Sequence, residues 1–305
     1  MKLDGLQNDA DFASCSDGTP RSRYMLCDKY ELHYMEWGTE RSPTVVMWHG
    51  LARTSRDFDI LARRLSSAYR VVCPDVIGRG LSQWSSIPDH EYSIAYYGQL
   101  AHTFVEQLRA DRVVWIGTSM GGAIGMHCAA TLLRDRIESL VLNDIGPTLP
   151  RTAIERIVGY VGNPPSFDTV TALEEWMRET YGPYGWQSDA GWRAMTESSM
   201  RRLSDGRVTL HYDPAIAQQL VQRADDFELW PAYDALRIPV LLLRGAESDL
   251  LLPEVADAMT RRGPRAKRVD FVGCGHAPQL NVEEQIREVE QFLGHSRSPC
   301  ADVGQ

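Results

Sequence analysis

No apolar run in this 305-residue sequence is long enough to cross a bilayer. The longest weakly polar stretch, Met120 to Leu133, is interrupted by Gly121, Gly122 and His127. An excess of positive charge is also missing. With 32 Lys and Arg against 41 Asp and Glu, the net charge of −9 offers no electrostatic footprint for nucleic acid or an anionic membrane. The opening residues, MKLDGLQNDADFASCSDGTP, lack the apolar core of a secretory signal, so a cytoplasmic location is expected. Cysteines occur at positions 15, 27, 73, 128, 274 and 300, and none has metal-ligand spacing. A chain of this length with 43% hydrophobic residues can bury a core without staples, so free thiols in a reducing compartment are expected. Neither repeats nor low-complexity tracts are present.

What is present is an alternation of short β-rich runs with longer helical stripes. Tyr30–Trp37 reads as an antiparallel strand, and Thr44–Trp48 as a buried parallel one. Further strands are expected at Arg70–Cys73, Arg112–Ile116, Leu140–Asn143, Val240–Leu243 and Arg268–Val272. Helices are expected at Ser55–Ser66, Ser93–Arg109, Met120–Leu133, Pro253–Thr260 and Val282–Leu293. Such alternation gives an α/β fold with a mostly parallel central sheet flanked by helices. The segment 148–237 breaks the pattern with helical stripes, many aromatics and no convincing buried strand, and reads as a helical lid inserted between two strands. Within it, Asp213 caps a helix that starts at Pro214. Residues 1–23 read as a flexible arm, 24–147 and 238–295 as the core, and 296–305 as a tail.

Gly117-Thr118-Ser119-Met120-Gly121 fits G-x-S-x-G and lies between an apolar strand and a helix. A serine on that sharp turn has an exposed hydroxyl and a helix N-terminus beneath it. It is a poor nucleophile until a base takes its proton. His276, on a loop after the last strand, is expected at the same carboxyl edge of the sheet, where ligands bind in open α/β folds. The base needs an acidic partner. Asp249, on the loop after Val240–Leu243, is the expected one, with Glu247 and Asp144 as rivals and Asp144 read as a structural hydrogen-bonding residue. The oxyanion of acyl transfer needs two donors, and the backbone N–H groups of Met120 and Leu51 are the candidates. His49 reads as a loop-shaping residue, and Cys274 as a small buried one rather than a nucleophile.

His49-Gly50, Asp75-x-x-Gly78-x-Gly80-x-Ser82, Gly117-x-Ser119-Met120-Gly121-Gly122, Arg244-Gly245…Asp249 and Gly275-His276, in this order, resemble the α/β-hydrolase superfamily from about Tyr24 to Leu293, the lid excepted. The resemblance implies the α/β-hydrolase fold and a serine hydrolase without metal or cofactor. A serine nucleophile argues against the carboxylate-dependent haloalkane dehalogenases and epoxide hydrolases. Esterases and lipases, C–C bond hydrolases, thioesterases and perhydrolases remain. Asn143-Asp144-Ile145-Gly146-Pro147 and Leu210-His211-Tyr212-Asp213-Pro214 are similar to segments of bacterial carboxylesterases, some of which attack aliphatic polyesters such as polylactide.

The expectation is therefore a carboxylic ester hydrolase acting on a small-molecule or polymeric ester. Ser119 attacks, His276 serves as base and then acid, and Asp249 orients it. Tyr184, Trp186 and His211 are candidate pocket residues, though the lid aromatics could equally form the lid's own core. Gly182, Gly185 and Gly191 suit a mobile or irregular segment. Two other readings use the same scaffold. One is a C–C bond hydrolase in which Arg53 or Arg56 meets a substrate carboxylate, and the other is a binding protein without turnover.

Overall fold

The computed structural model describes residues 19–296. The core begins with β1 (Arg21–Cys27), β2 (Tyr30–Trp37), β3 (Thr44–Trp48), α1 (Asp59–Leu65), β4 (Arg70–Pro74), α2 (Pro88–Glu91), α3 (Ile94–Gln107), β5 (Val113–Thr118), α4 (Met120–Ala130) and β6 (Ile137–Asn143). The lid carries α5 (Arg151–Val161), β7 (Ser166–Phe167), α6 (Val170–Tyr181), α7 (Asp189–Ser199), β8 (Met200–Arg202), β9 (Val208–Leu210), α8 (Gln218–Gln222) and α9 (Trp230–Ala235). The core resumes with β10 (Val240–Gly245), α10 (Pro253–Met259), β11 (Lys267–Phe271) and α11 (Glu283–Ser296).

Eight strands form one sheet in the order β1-β2-β4-β3-β5-β6-β10-β11. Only the pairs made by β2 are antiparallel; the run from β4 to β11 is parallel. This is the α/β-hydrolase fold, an eight-stranded, mostly parallel sheet flanked by helices with a helical insertion. The apolar runs of the inner strands follow from burial on both faces. In β5, Val113 and Trp115 enter the core beneath α3, α4 and the lid, while Val114 and Ile116 enter the core beneath α1 and α11. Trp48 of β3 and Trp115 of β5 stack on the first face with ring centroids 4.9 Å apart.

Differences from the sequence expectation have local causes. Residues 1–18 and 297–305 lie outside the described residues, with most of the expected arm and tail and with Cys15 and Cys300. Arg21–Arg23, assigned to the arm, instead pair with Tyr34–Glu36 in β1, an edge strand exposed along most of its length. The helix expected from Ser55 starts as a 3-10 turn, Ser55–Phe58, before α1. The lid carries a three-stranded sheet, β7-β9-β8, whose strands are too short for an alternating pattern to show in the sequence. Asp213 does cap the turn at Pro214, accepting the Ala215 N–H at 2.9 Å. The four cysteines among the described residues are buried and unpaired, and no helix among these residues is long and apolar enough to cross a membrane.

Candidate active site

Ser119 stands between β5 and α4 with φ 52° and ψ −119°, a backbone conformation that bulky L-residues rarely adopt. Its N–H donates to the Asn143 carbonyl at 2.9 Å, and its own carbonyl accepts the N–H groups of Gly122 and Ala123. The two motif glycines let the chain make this turn. A Cβ on Gly117 would lie 2.3 Å from the Gly121 oxygen, and one on Gly121 would lie 1.9 Å from the Trp48 oxygen. Both obstacles are backbone. Gly121→Ala should therefore cost at least about 2 kcal/mol of stability and displace β3 from the elbow, read out as a lower urea midpoint than wild type; an unchanged midpoint would contradict this packing.

The Ser119 Oγ lies 3.0 Å from Nε2 of His276. On the far side of the imidazole, Nδ1 is 2.7 Å from Oδ2 of Asp144, not from Asp249. An ionised carboxylate only accepts, so the proton sits on Nδ1 and Nε2 is left to accept the serine hydroxyl. Asp144 is completely buried. Its Oδ1 accepts the Gly245 N–H at 3.0 Å and its Oδ2 accepts the Ser248 hydroxyl at 2.5 Å. Ser248 is oriented as a donor because its Oγ already accepts the N–H groups of Leu250 and Leu251, each at 3.2 Å. Three donors thus replace the water a buried carboxylate loses.

The expected role of Asp249 is corrected by this geometry. The Asp144 N–H donates to the Leu243 carbonyl at 2.8 Å, which carries the β6–β10 ladder one residue past β6 and turns its carboxylate across the top of β10. On the β10 loop, Ser248 takes the inward position, and the next residue faces out. Asp249 is half exposed and forms a two-pronged ion pair with Arg156 of α5, at 2.7 and 2.9 Å. Glu247 accepts the Gly273 N–H and also stays away from the imidazole.

The two oxyanion candidates lie beside Ser119. Met120 opens α4, so its N–H has no partner within the helix. A Cβ on Gly50 would be 3.6 Å from the Ser119 Cβ, so the Gly50–Leu51 peptide passes alongside the nucleophile. Among the described residues, neither the Met120 nor the Leu51 N–H is spent on another protein group. Two residues hold this loop. The buried His49 Nδ1 donates to the Gly50 carbonyl at 2.7 Å, while Nε2 accepts the Val76 N–H at 3.0 Å. Arg79, fully buried and not foreseen from sequence, donates to the Leu51 carbonyl at 2.8 Å and stacks on Tyr92 and Tyr97. Its signal was its place inside Asp75-x-x-Gly78-x-Gly80, a clamp in which the Asp75 carboxylate takes the Ser55 and Leu81 N–H groups and His33.

Burial lowers the proton affinity of His49 below the ordinary 6.5. Unfolding at pH below about 6.5 therefore takes up a proton, so this contribution to stability is complete above that pH and is lost as pH falls. His127 and His211 are shifted in the same direction by burial. His49→Gln, whose amide can make both hydrogen bonds, should flatten the fall in urea midpoint between pH 7 and 5.5. A slope equal to wild type would contradict this role.

A second Ser-His-Asp line exists. Ser22 Oγ is 2.9 Å from His33 Nε2, and His33 Nδ1 is 2.7 Å from Asp75. Ser22 sits in the regular strand β1, with no helix N-terminus behind it, and Asp75 is committed to the loop clamp. Hydrogen-bond distances alone do not make an esterase site.

A cavity of about 160 Å³ opens over Ser119 and His276. Its walls include Leu51 and Arg53 from the β3 loop and Ile157, Tyr160, Tyr181, Tyr184 and Met195 from the lid. Of the three pocket candidates, Tyr184 lines it, with its ring edge-on to His276 at 5.8 Å. Trp186 does not: it is 67% exposed on the outside of the lid. His211 does not either, since its carbonyl accepts the Gly80 N–H at the end of β9, away from the cavity walls. The other lid aromatics divide between roles: Tyr181 faces the cavity, and Trp192 is buried in the core. Lid segment 182–187, where glycines pointed to looseness, is tied to the histidine loop. The Pro183 carbonyl accepts the Gly275 N–H, and Gln187 and the Trp186 carbonyl bond to Gln279 and Asn281. Cys274 is buried and its thiol is pushed up by burial, which disfavours a thiolate nucleophile.

A sheet of this order carrying Ser119 on a strand-to-helix turn defines a hydrolase scaffold, and the sequence comparisons agree. The chain belongs to the α/β-hydrolase family, whose family model matches residues 45–290. It is 36% identical over 289 residues to a 3-hydroxybutyrate-oligomer hydrolase of Cupriavidus necator, covering 90% of this chain and 98% of that protein. It is 27% identical over 260 residues to a pimeloyl-[acyl-carrier protein] methyl ester esterase of Xanthomonas oryzae pv. oryzae, covering 82% of this chain and 94% of the relative. Among solved structures, an alpha/beta hydrolase from Novosphingobium aromaticivorans superposes with a TM-score of 0.81 at 34% identity, covering 90% of this chain and 98% of that one.

Proposed function

We propose that the protein is a serine carboxylesterase that cleaves short aliphatic oligoesters of hydroxy acids. The observation that carries the chemistry is the hydrogen-bonded line Ser119–His276–Asp144, whose first two members line the cavity and whose third is buried behind the imidazole. As the Ser119 Oγ attacks the ester carbonyl, its proton passes to His276 Nε2 and the carbonyl oxygen becomes an oxyanion facing the Leu51 and Met120 N–H groups. Asp144 stabilises the imidazolium. The C–O bond then breaks, and Nε2 returns the proton to the departing alkoxide, which leaves as the alcohol. Water repeats the sequence on the acyl-serine and releases the acid.

Cavity size supports a short acyl group. An apolar cavity of about 150 Å³ holds a benzene ring, roughly six heavy atoms, and a 3-hydroxybutyryl group has the same number. The similarity to an oligomer hydrolase that spans nearly the whole of both chains points to the same substrate class. The test is hydrolysis of 3-hydroxybutyrate dimer and trimer beside acyl esters from acetate to palmitate. The expected result is cleavage of the dimer and trimer with an acyl optimum near four carbons. An optimum at ten carbons or more, with the dimer untouched, would overturn the substrate class.

A further inference from the structure

The polar wall of the cavity has donors that no acceptor among the described residues fully satisfies. Arg53, 8% exposed, spends Nε and Nη2 on Asp57, at 2.9 and 2.5 Å. Its Nη1 is buried and makes no well-formed hydrogen bond among the described residues. Tyr181, 2% exposed, stacks on the same guanidinium with 5.1 Å from its ring centroid to the Arg53 Cζ. Its hydroxyl is also buried and leans on the Arg53 guanidinium, which can only donate, so the tyrosine O–H is left without an acceptor among the described residues. Both residues line the cavity that holds Ser119 and His276. Arg53 follows the oxyanion loop directly, and its Cγ would be 3.8 Å from a Cβ on Gly50. Other buried donors of this chain also lack an acceptor, but these two share one cavity wall with the nucleophile, where a bound substrate can supply it. Nη1 has no lone pair to offer, so the missing partner is an oxygen acceptor.

We propose that Arg53 and Tyr181 form a specificity subsite that holds a second oxygen acceptor of the substrate, an ester carbonyl or a terminal carboxylate lying within one hydroxy-acid unit of the scissile carbonyl. This deepens the oligoester reading and rests on it. A simple alkanoate ester has no such second oxygen, whereas every oligomer of a hydroxy acid does. Asp57 fixes the guanidinium plane and offsets its charge, so the remaining edge suits a neutral carbonyl as well as a carboxylate.

The experiment compares kcat/KM for three substrates: 3-hydroxybutyrate dimer as the free acid, the same dimer as its methyl ester, and phenyl butyrate. The enzymes are wild type, Arg53→Lys and Tyr181→Phe. Lysine can still pair with Asp57 but has no third nitrogen, and phenylalanine keeps the ring in place. In both variants the ratio of dimer to phenyl butyrate kcat/KM should fall about tenfold, the effect of one hydrogen bond to a charged group. A fall confined to the free acid identifies a carboxylate as the partner, and an equal fall for both dimers identifies a carbonyl. If both variants lose the three activities in equal proportion, the pair is structural and the subsite is wrong. If the ratio is unchanged while wild type still prefers the dimers, the subsite is wrong and the oligoester reading stands. If wild type prefers phenyl butyrate over both dimers, the oligoester reading falls and the subsite with it.

Discussion

Asp144→Asn should lower kcat by about 10⁴, the loss expected when an asparagine leaves the geometry intact but presents the wrong tautomer to the imidazole. Asp249→Asn should stay within a few-fold of wild type, because it removes only a half-exposed ion pair with Arg156. The contrast follows from where the two carboxylates point. Asp144 is buried, 2.7 Å from His276, and held by Gly245 and Ser248, whereas Asp249 faces the lid helix α5. Steady-state kinetics on one ester for the two variants separates them. A loss of 10³ or more in Asp249→Asn with Asp144→Asn near wild type would refute the assignment.

Ser119→Ala should reduce turnover by about 10⁶ while leaving the fold intact, since removing the nucleophile of such a triad costs as much as removing the whole of it. Alanine fits the space of the serine, so the effect falls on chemistry. The positive φ at Ser119 strains alanine as it strains serine, so the urea midpoint should stay close to that of wild type. Acyl-enzyme formation, followed by intact mass after rapid quenching, should be visible for wild type and absent for the variant. Residual turnover above about one part in 10³ would mean that a different nucleophile acts.

Much of this was legible in the sequence for a physical reason. The parallel strands are buried on both faces and read as plain apolar runs, and the bounds expected for β2 and β3 coincide with those observed. The elbow was legible because only glycine fits at 117 and 121 against backbone atoms. The acid partner was not. Asp144 and Asp249 both follow a strand, both precede His276 in the chain, and their strands β6 and β10 are neighbours. Chain order cannot separate them; only the inward turn of Ser248 and the outward one of Asp249 does. The pocket walls were hidden for a different reason. Ile157 and Tyr160 belong to an amphipathic helix whose apolar stripe looks like any core stripe until its partner surface is known. Trp186 misled because a large aromatic is expected inside, yet here it covers the outer surface of the lid.

Labelling by a p-nitrophenyl alkylphosphonate, which phosphonylates a serine only when its base and oxyanion donors are in place, tests Ser119–His276–Asp144 most directly. Wild type, Asp144→Asn and Asp249→Asn would be followed by release of p-nitrophenol and by peptide mass. The expected result is one adduct per chain on Ser119, formed at similar rates in wild type and Asp249→Asn and at least about 10³ more slowly in Asp144→Asn. An adduct on another residue, or slow labelling in Asp249→Asn with normal labelling in Asp144→Asn, would contradict it.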